Sequence, residues 1–195
     1  MLTLAIDTAT KVCTVALCRQ QELLAEYTIN MGLTHSEGLL PQLEQLLERC
    51  NVDKKEIGLL AVSMGPGSFT GLRIGLATAA ATAYAWQCCL HGVDTLKALA
   101  YNVQLEGMVL SPVLDAQKGN FYQALYEWKQ GQLVELAPVA VVNVQQALER
   151  IALQGMPALL LGESQRLVKK LPEGLPSWLK EAPETLRMPR ASSVA

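Results

Sequence analysis

Charge is scarce in this 195-residue chain: 16 basic and 18 acidic residues make up 17% of it, against roughly a quarter in an average soluble domain. Half the residues are apolar, so the deficit is not that of a disordered chain, which lacks surface to bury. Net charge is −2, and the longest basic runs are the pairs Lys54-Lys55 and Lys169-Lys170. Read along the chain, no cation cluster is dense enough to capture a polyanion unaided, since that affinity comes from neutralised phosphates. Two Phe, five Tyr and three Trp leave few rings for stacking bases. Five cysteines (Cys13, Cys18, Cys50, Cys88, Cys89) show no C-x-x-C spacing, which argues against structural zinc and for reduced thiols. No charged leader precedes the apolar Leu2–Asp7, and the most apolar helical stretch is broken by Arg73, Gln87 and threonines. The expectation is a cytoplasmic protein with no membrane span.

What is abundant is aliphatic: 34 Leu and 23 Ala. Strand patterns at 2–7, 12–18 and 22–29 are separated by short polar turns. From Thr34 the period changes to three and four residues (Leu39, Leu40, Leu43, Leu46, Leu47, Cys50), one face of a helix, with Thr34-His-Ser-Glu37 as a capping box and Pro41 predicting a bend. A strand at 59–63, a glycine-rich turn, a helix over about 72–89 and a strand at 89–93 make a βαβ unit, followed by a helix capped by Asp94. At Met108 the opening pattern recurs: strand to Asp115, turn, strand 121–128, strand 132–136, then a helix near 144–153, a strand at 158–161 and a tail punctuated by Pro172, Pro176, Pro183 and Pro189 without a clear strand. The repeat predicts two similar lobes, 1–105 and 106–195.

Three features carry candidate chemistry. The turn Gly65-Pro-Gly-Ser-Phe-Thr-Gly71 lies one residue off a dinucleotide fingerprint, with Asp94 near the place of a ribose-binding acid; Pro66 removes an amide donor, and the Lys-Ser/Thr of a phosphate-binding P-loop is missing. The alternative is a tight turn that delivers a helix into a packed interface. Gly71, Gly75, Ala79 and Ala83 form a small-residue stripe that admits close packing, against either the same chain or another. Asp7 and Asp115 close corresponding strands, able to hold Mg²⁺ and phosphate together or, alternatively, to satisfy the amides of their own turns. His35 has leucine at the i+4 position 39, so no helical metal pair forms, and no cofactor is predicted.

Taken together, Ile6-Asp-Thr-Ala-Thr10, His35-Ser-Glu-Gly-Leu-Leu-Pro41, Ser63 through Gly75 and Val113-Leu-Asp-Ala-Gln117 resemble the TsaB (YeaZ) family, once labelled glycoprotease-like, over residues 1 to about 165. The resemblance implies an α/β fold of the actin-like, sugar kinase and Hsp70 ATPase type (ribonuclease H-like), with a second lobe shortened at its end. It also implies a non-enzymatic accessory subunit for threonylcarbamoyl modification of the adenosine beside the tRNA anticodon, pairing with the catalytic TsaD and with the ATPase TsaE, as a homodimer when alone, and meeting tRNA only through the complex. TsaD-type proteins bind metal through a His-x-x-x-His pair; here Leu39 replaces the second His, and Gln117 stands where the family has Arg. By resemblance, the partner interface comprises His35, Glu37, Leu40, Leu43 and Leu47 on the first helix and Phe69, Gly71, Leu72, Arg73, Gly75, Ala79 and Ala83 on the second. The rival reading is a nucleotide-binding enzyme or sensor using Asp7, Asp115 and the Gly65–Gly71 turn.

Overall fold

The computed structural model describes residues 1–30, 35–172 and 174–195. They form two compact units: Met1–Ala98 with Pro189–Ala195, and Leu99–Met188. The division falls at 98/99 rather than 105/106, and the last seven residues return to the first unit.

In the first unit β1 (Leu2–Asp7), β2 (Cys13–Arg19), β3 (Glu22–Ile29), β4 (Ile57–Gly65) and β5 (Cys89–Asp94) form one sheet in the order β3-β2-β1-β4-β5. The β1/β2 and β2/β3 pairs are antiparallel; β1/β4 and β4/β5 are parallel. β1 is buried at every position because both faces of the sheet are covered, so it reads as a continuous apolar run. On one face Leu4, Ile6, Val15, Leu17, Leu60 and Val62 pack with Leu39, Leu43 and Leu46 of α1 (His35–Cys50) and with Ala79 and Ala83 of α2 (Phe69–Trp86). On the other, Ala5, Ala16 and Ala61 meet Ala98 of α3 (Thr95–Tyr101) and Ala191 and Val194 of the returning tail. α1 contains Pro41 within its span, and Thr34 of the expected capping box lies outside the described residues.

The tail is fastened by one carboxylate. Glu26 Oε2 accepts from Arg190 Nε and a terminal guanidinium nitrogen at 3.2 and 3.1 Å, and its Oε1 accepts from the amide and hydroxyl of Ser192, both at 2.8 Å.

The second unit repeats the plan. β6 (Val109–Asp115), β7 (Phe121–Lys129), β8 (Gln132–Val142), β9 (Ala158–Gly162) and β10 (Leu179–Glu181) are ordered β10-β9-β6-β7-β8, again three antiparallel strands followed by two parallel ones. The tail predicted to lack a strand therefore contributes β10, paired with β9. The strand complement equals that of the first unit, and the reduction lies in the helices. α4 (Val144–Ala152), α5 (Ser164–Val168) and α6 (Glu184–Arg187) have 9, 5 and 4 residues where α1, α2 and α3 have 16, 18 and 7. The core on one side gathers Val109, Val113, Phe121, Leu125, Ile151, Leu160 and Leu167. Among the described residues no helix is long and apolar enough to cross a membrane.

Candidate functional site

The glycine-rich turn is filled by its own chain. The Ser68 amide donates to the Ala9 carbonyl at 2.7 Å, the Gly65 amide to Thr95 Oγ1 at 3.1 Å and the Gly71 amide to Ser68 Oγ at 3.2 Å, the last as the N-cap of α2. A Cβ at Gly67 would collide with the Ala9 carbonyl oxygen, one at Gly71 with the Thr8 carbonyl oxygen, and one at Gly75 with Thr8 Oγ1. The close backbone approach that a nucleotide-binding turn reserves for a phosphate is here made by residues 8–9. Asp94 is a helix cap, accepting from the Lys97 amide at 2.8 Å.

This geometry corrects the direction of the small-residue stripe. Gly71, Gly75, Ala79 and Ala83 are the buried positions of α2, turned onto their own sheet, and Leu43 is likewise buried under α1. Of the five, Ala83 also borders a surface depression, the one beside Tyr84. The small side chains serve to let α2 lie close over Thr8 and the sheet.

The two aspartates belong to different units, and each serves its own turn. Asp7 Oδ1 accepts from the Ala9 amide at 2.8 Å; Asp115 Oδ1 accepts from the Gln117 amide at 2.9 Å, and its Oδ2 pairs with Arg166. Asp115's own amide donates to Glu163 Oε2 at 2.8 Å. Complete burial pushes the Asp7 carboxyl up to about 6, against the opposing pull of the Ala9 amide and the Ser63 hydroxyl. His35 Nε2 donates to the Thr10 carbonyl at 2.8 Å, and Leu39, at the position of a second metal-binding histidine, is a core residue. Among the described residues no group of three or more His, Cys, Asp or Glu side chains converges as a metal site. The cysteines are unpaired, and burial pushes the Cys13 and Cys18 thiols up, away from reactivity.

What faces outward on α2 is apolar. Phe69 is 68% exposed, Leu76 43% and Tyr84 88%, and the only charge in this 18-residue helix is Arg73, whose guanidinium stacks 3.8 Å from the Phe69 ring centroid. Met64, Leu90 of the edge strand β5 and Leu40 of α1 are exposed as well, and a shallow depression beside Tyr84 is lined by Ala80, Ala85, Gln87 and Leu90. Glu37 and Arg73 are exposed; His35, Leu47 and Leu72 are half-buried. Of these exposed residues, Phe69, Arg73 and Leu40 are among the interface residues expected from the sequence, whereas Met64, Leu76, Tyr84 and Leu90 are not. The pattern is local: α2 carries a single charge, and Phe69, Arg73, Leu76, Ala80 and Tyr84 recur at three- and four-residue steps opposite the glycines.

A family model described as TsaD, tRNA N6-adenosine threonylcarbamoyltransferase, matches residues 22–174. The chain is 33% identical over 173 residues to the tRNA threonylcarbamoyladenosine biosynthesis protein TsaB of Bacillus subtilis, covering 89% of this chain and 76% of that one. To TsaB of Escherichia coli it is 35% identical over 130 residues, 65% of this chain and 55% of that one. The solved structure of YeaZ from Pseudomonas aeruginosa superposes with a TM-score of 0.81 at 27% identity, over 99% of this chain and 88% of that one. Structures at 11% identity with TM-scores of 0.51 and 0.52 share the fold alone, and the doubled sheet is that of the actin-like, ribonuclease H-like class.

Proposed function

Because the chain belongs to the TsaB family of tRNA threonylcarbamoyladenosine biosynthesis proteins, we propose that it is a non-catalytic subunit of the modifying assembly that docks on TsaD through the outward face of α2. The observation that carries this reading is the exposure of Phe69, Leu76 and Tyr84 along one side of a helix with one charge. A water-facing helix surface is normally polar, and a large apolar patch with aromatic and arginine anchors is the composition of a protein interface. Leu90, which borders the same depression as Tyr84, extends the patch, and TsaD is its occupant; in the absence of TsaD a second copy of this chain covers it. TsaE joins the assembly without a surface on this chain being assigned to it.

The residues that a nucleotide-handling or metal-handling relative would use are engaged internally: the glycine turn by residues 8–9, Asp7 and Asp115 by their own turns, and His35 by Thr10. This supports an accessory role, with the chemistry on the partner.

The test is reconstitution of tRNA modification from the other components with and without this chain, together with affinity for TsaD. Tyr84→Ala changes an exposed side chain, so stability should move by less than about 0.5 kcal/mol. As an interface anchor it should weaken TsaD binding about 30-fold, corresponding to ~2 kcal/mol. Unchanged binding by both Phe69→Ala and Tyr84→Ala, or full modification without the chain, refutes the reading.

A further inference from the structure

The fold assembles a cation cluster that the linear sequence hides. Lys118 sits in the turn between β6 and β7, where Gln117, Lys118 and Gly119 all have positive φ (64°, 49° and 84°) and the turn is closed by an Ala116 amide to Asn120 carbonyl bond at 3.0 Å. Onto this turn reach two side chains from α5 and its end. Arg166 pairs with Asp115 at the mouth of the turn, and Lys170 donates to the Gly119 carbonyl at 3.1 Å with its ammonium 5.5 Å from the Phe121 ring centroid. Lys169 lies beside Lys170, and all four cations are exposed. Of the adjacent carboxylates, Asp115 is offset by Arg166, and Glu163 accepts from the Asp115 amide and keeps its charge. Other basic pairs and runs are flanked by acids, as in Glu48-Arg49 and Asp53-Lys-Lys-Glu56. In a chain of net charge −2 these four cations outnumber the two carboxylates beside them, and Arg166 and Lys170 are held in place by Asp115 and the Gly119 carbonyl.

We infer that Lys118, Lys169 and Lys170 form a contact surface for the phosphate backbone of tRNA in the assembled complex. The inference rests on the proposed role in that complex and assigns this chain a share of RNA binding. Lysine as a compact point charge suits phosphate, and three such contacts carry no sequence preference, leaving the choice of tRNA to the partner. A chain that binds RNA weakly by itself still adds affinity when tethered to a second binding subunit, because the second contact becomes intramolecular.

The experiment measures binding of an unmodified tRNA transcript to TsaD alone, to TsaD with this chain, and to TsaD with the Lys118→Glu/Lys169→Glu chain, across a salt series. The wild-type chain should raise tRNA affinity. The double variant should remove about ten-fold at low salt and flatten the slope of log affinity against log salt by about 1.5, the value for two lost phosphate contacts. Lys118→Gln/Lys169→Gln should fall between. The inference is overturned if the wild-type chain adds nothing to tRNA affinity, or if the glutamate variant leaves affinity and slope unchanged. It is equally overturned if the variant loses TsaD itself, which would make the cluster a protein contact. Co-purification of the wild-type chain with TsaD reads the proposed docking separately, so the two failures are distinguishable.

Discussion

Thr8 Oγ1 donates to the Gly71 carbonyl at 2.8 Å, and the bond exists because position 75, one helical turn further along, carries no side chain: a Cβ there would occupy the place of the same hydroxyl. The end of β1 and the first turn of α2 are thus joined through an opening that only glycine leaves.

Gly75→Ala should therefore destabilise the first unit by about 1–3 kcal/mol, the usual cost of overpacking, with loss of the buried Thr8 bond. Denaturant unfolding of the variant checks this. Pairing it with Thr8→Ala, which vacates the hydroxyl, should recover part of the loss, and full additivity of the two would refute the steric account.

The Asp7 carboxyl makes a pH-dependent contribution whose sign is unusual for an acid. Its folded-state value of about 6 lies above the ordinary value of 3.8, so between these limits the native state binds more protons than the unfolded one. Stability from this group is then complete below about pH 4 and falls as pH rises through 6. Asp7→Asn keeps the oxygen that accepts from Ala9, and should match the wild type near pH 4 while exceeding it by about 2–3 kcal/mol above pH 7. Urea melts at several pH values give the comparison, and parallel curves for the two proteins would contradict it.

Glu26→Ala removes the acceptor of four donors from Arg190 and Ser192 and should cost about 2 kcal/mol, in the range of charge-assisted bonds that are only partly exposed. The more specific sign is local. Residues 189–195 should become sensitive to proteolysis before the rest of the chain, and limited digestion read by mass spectrometry detects it.

Calorimetry with Mg-ATP should give no saturable heat, since residues 8–9 occupy the glycine turn and each aspartate is committed to its own turn. A tight site abolished by Asp7→Ala would restore the nucleotide reading.

Most strands could be read from the chain because their signals are local. β1 and β3 coincide with the predicted spans, and β2, β6, β7 and β9 differ by a residue or two at their ends. β10 was hidden: three residues between Pro176 and Pro183 carry too little pattern, and only pairing with β9 makes a strand of them. Periodicity revealed the Gly71/Gly75/Ala79/Ala83 stripe but not what lies beneath it, because a small-residue face serves a sheet of the same chain as well as a foreign helix. The role of Glu26 had no local mark, its partners lying more than 160 residues away. Lys169-Lys170 stands out in the sequence as a basic pair, but nothing local links it to Lys118, and only the fold brings Lys170 onto the turn that carries Lys118.

The return of residues 189–195 to the first sheet bears on how the protein is made. Ala191 and Val194 cover Ala5, Ala16 and Ala61, yet a ribosome delivers them only after every residue of the second unit. The first unit emerges first but cannot close its alanine face until residues 189–195 have followed the second unit out. Its folding during synthesis is therefore provisional, and completion of the first unit becomes a check that the second has been made.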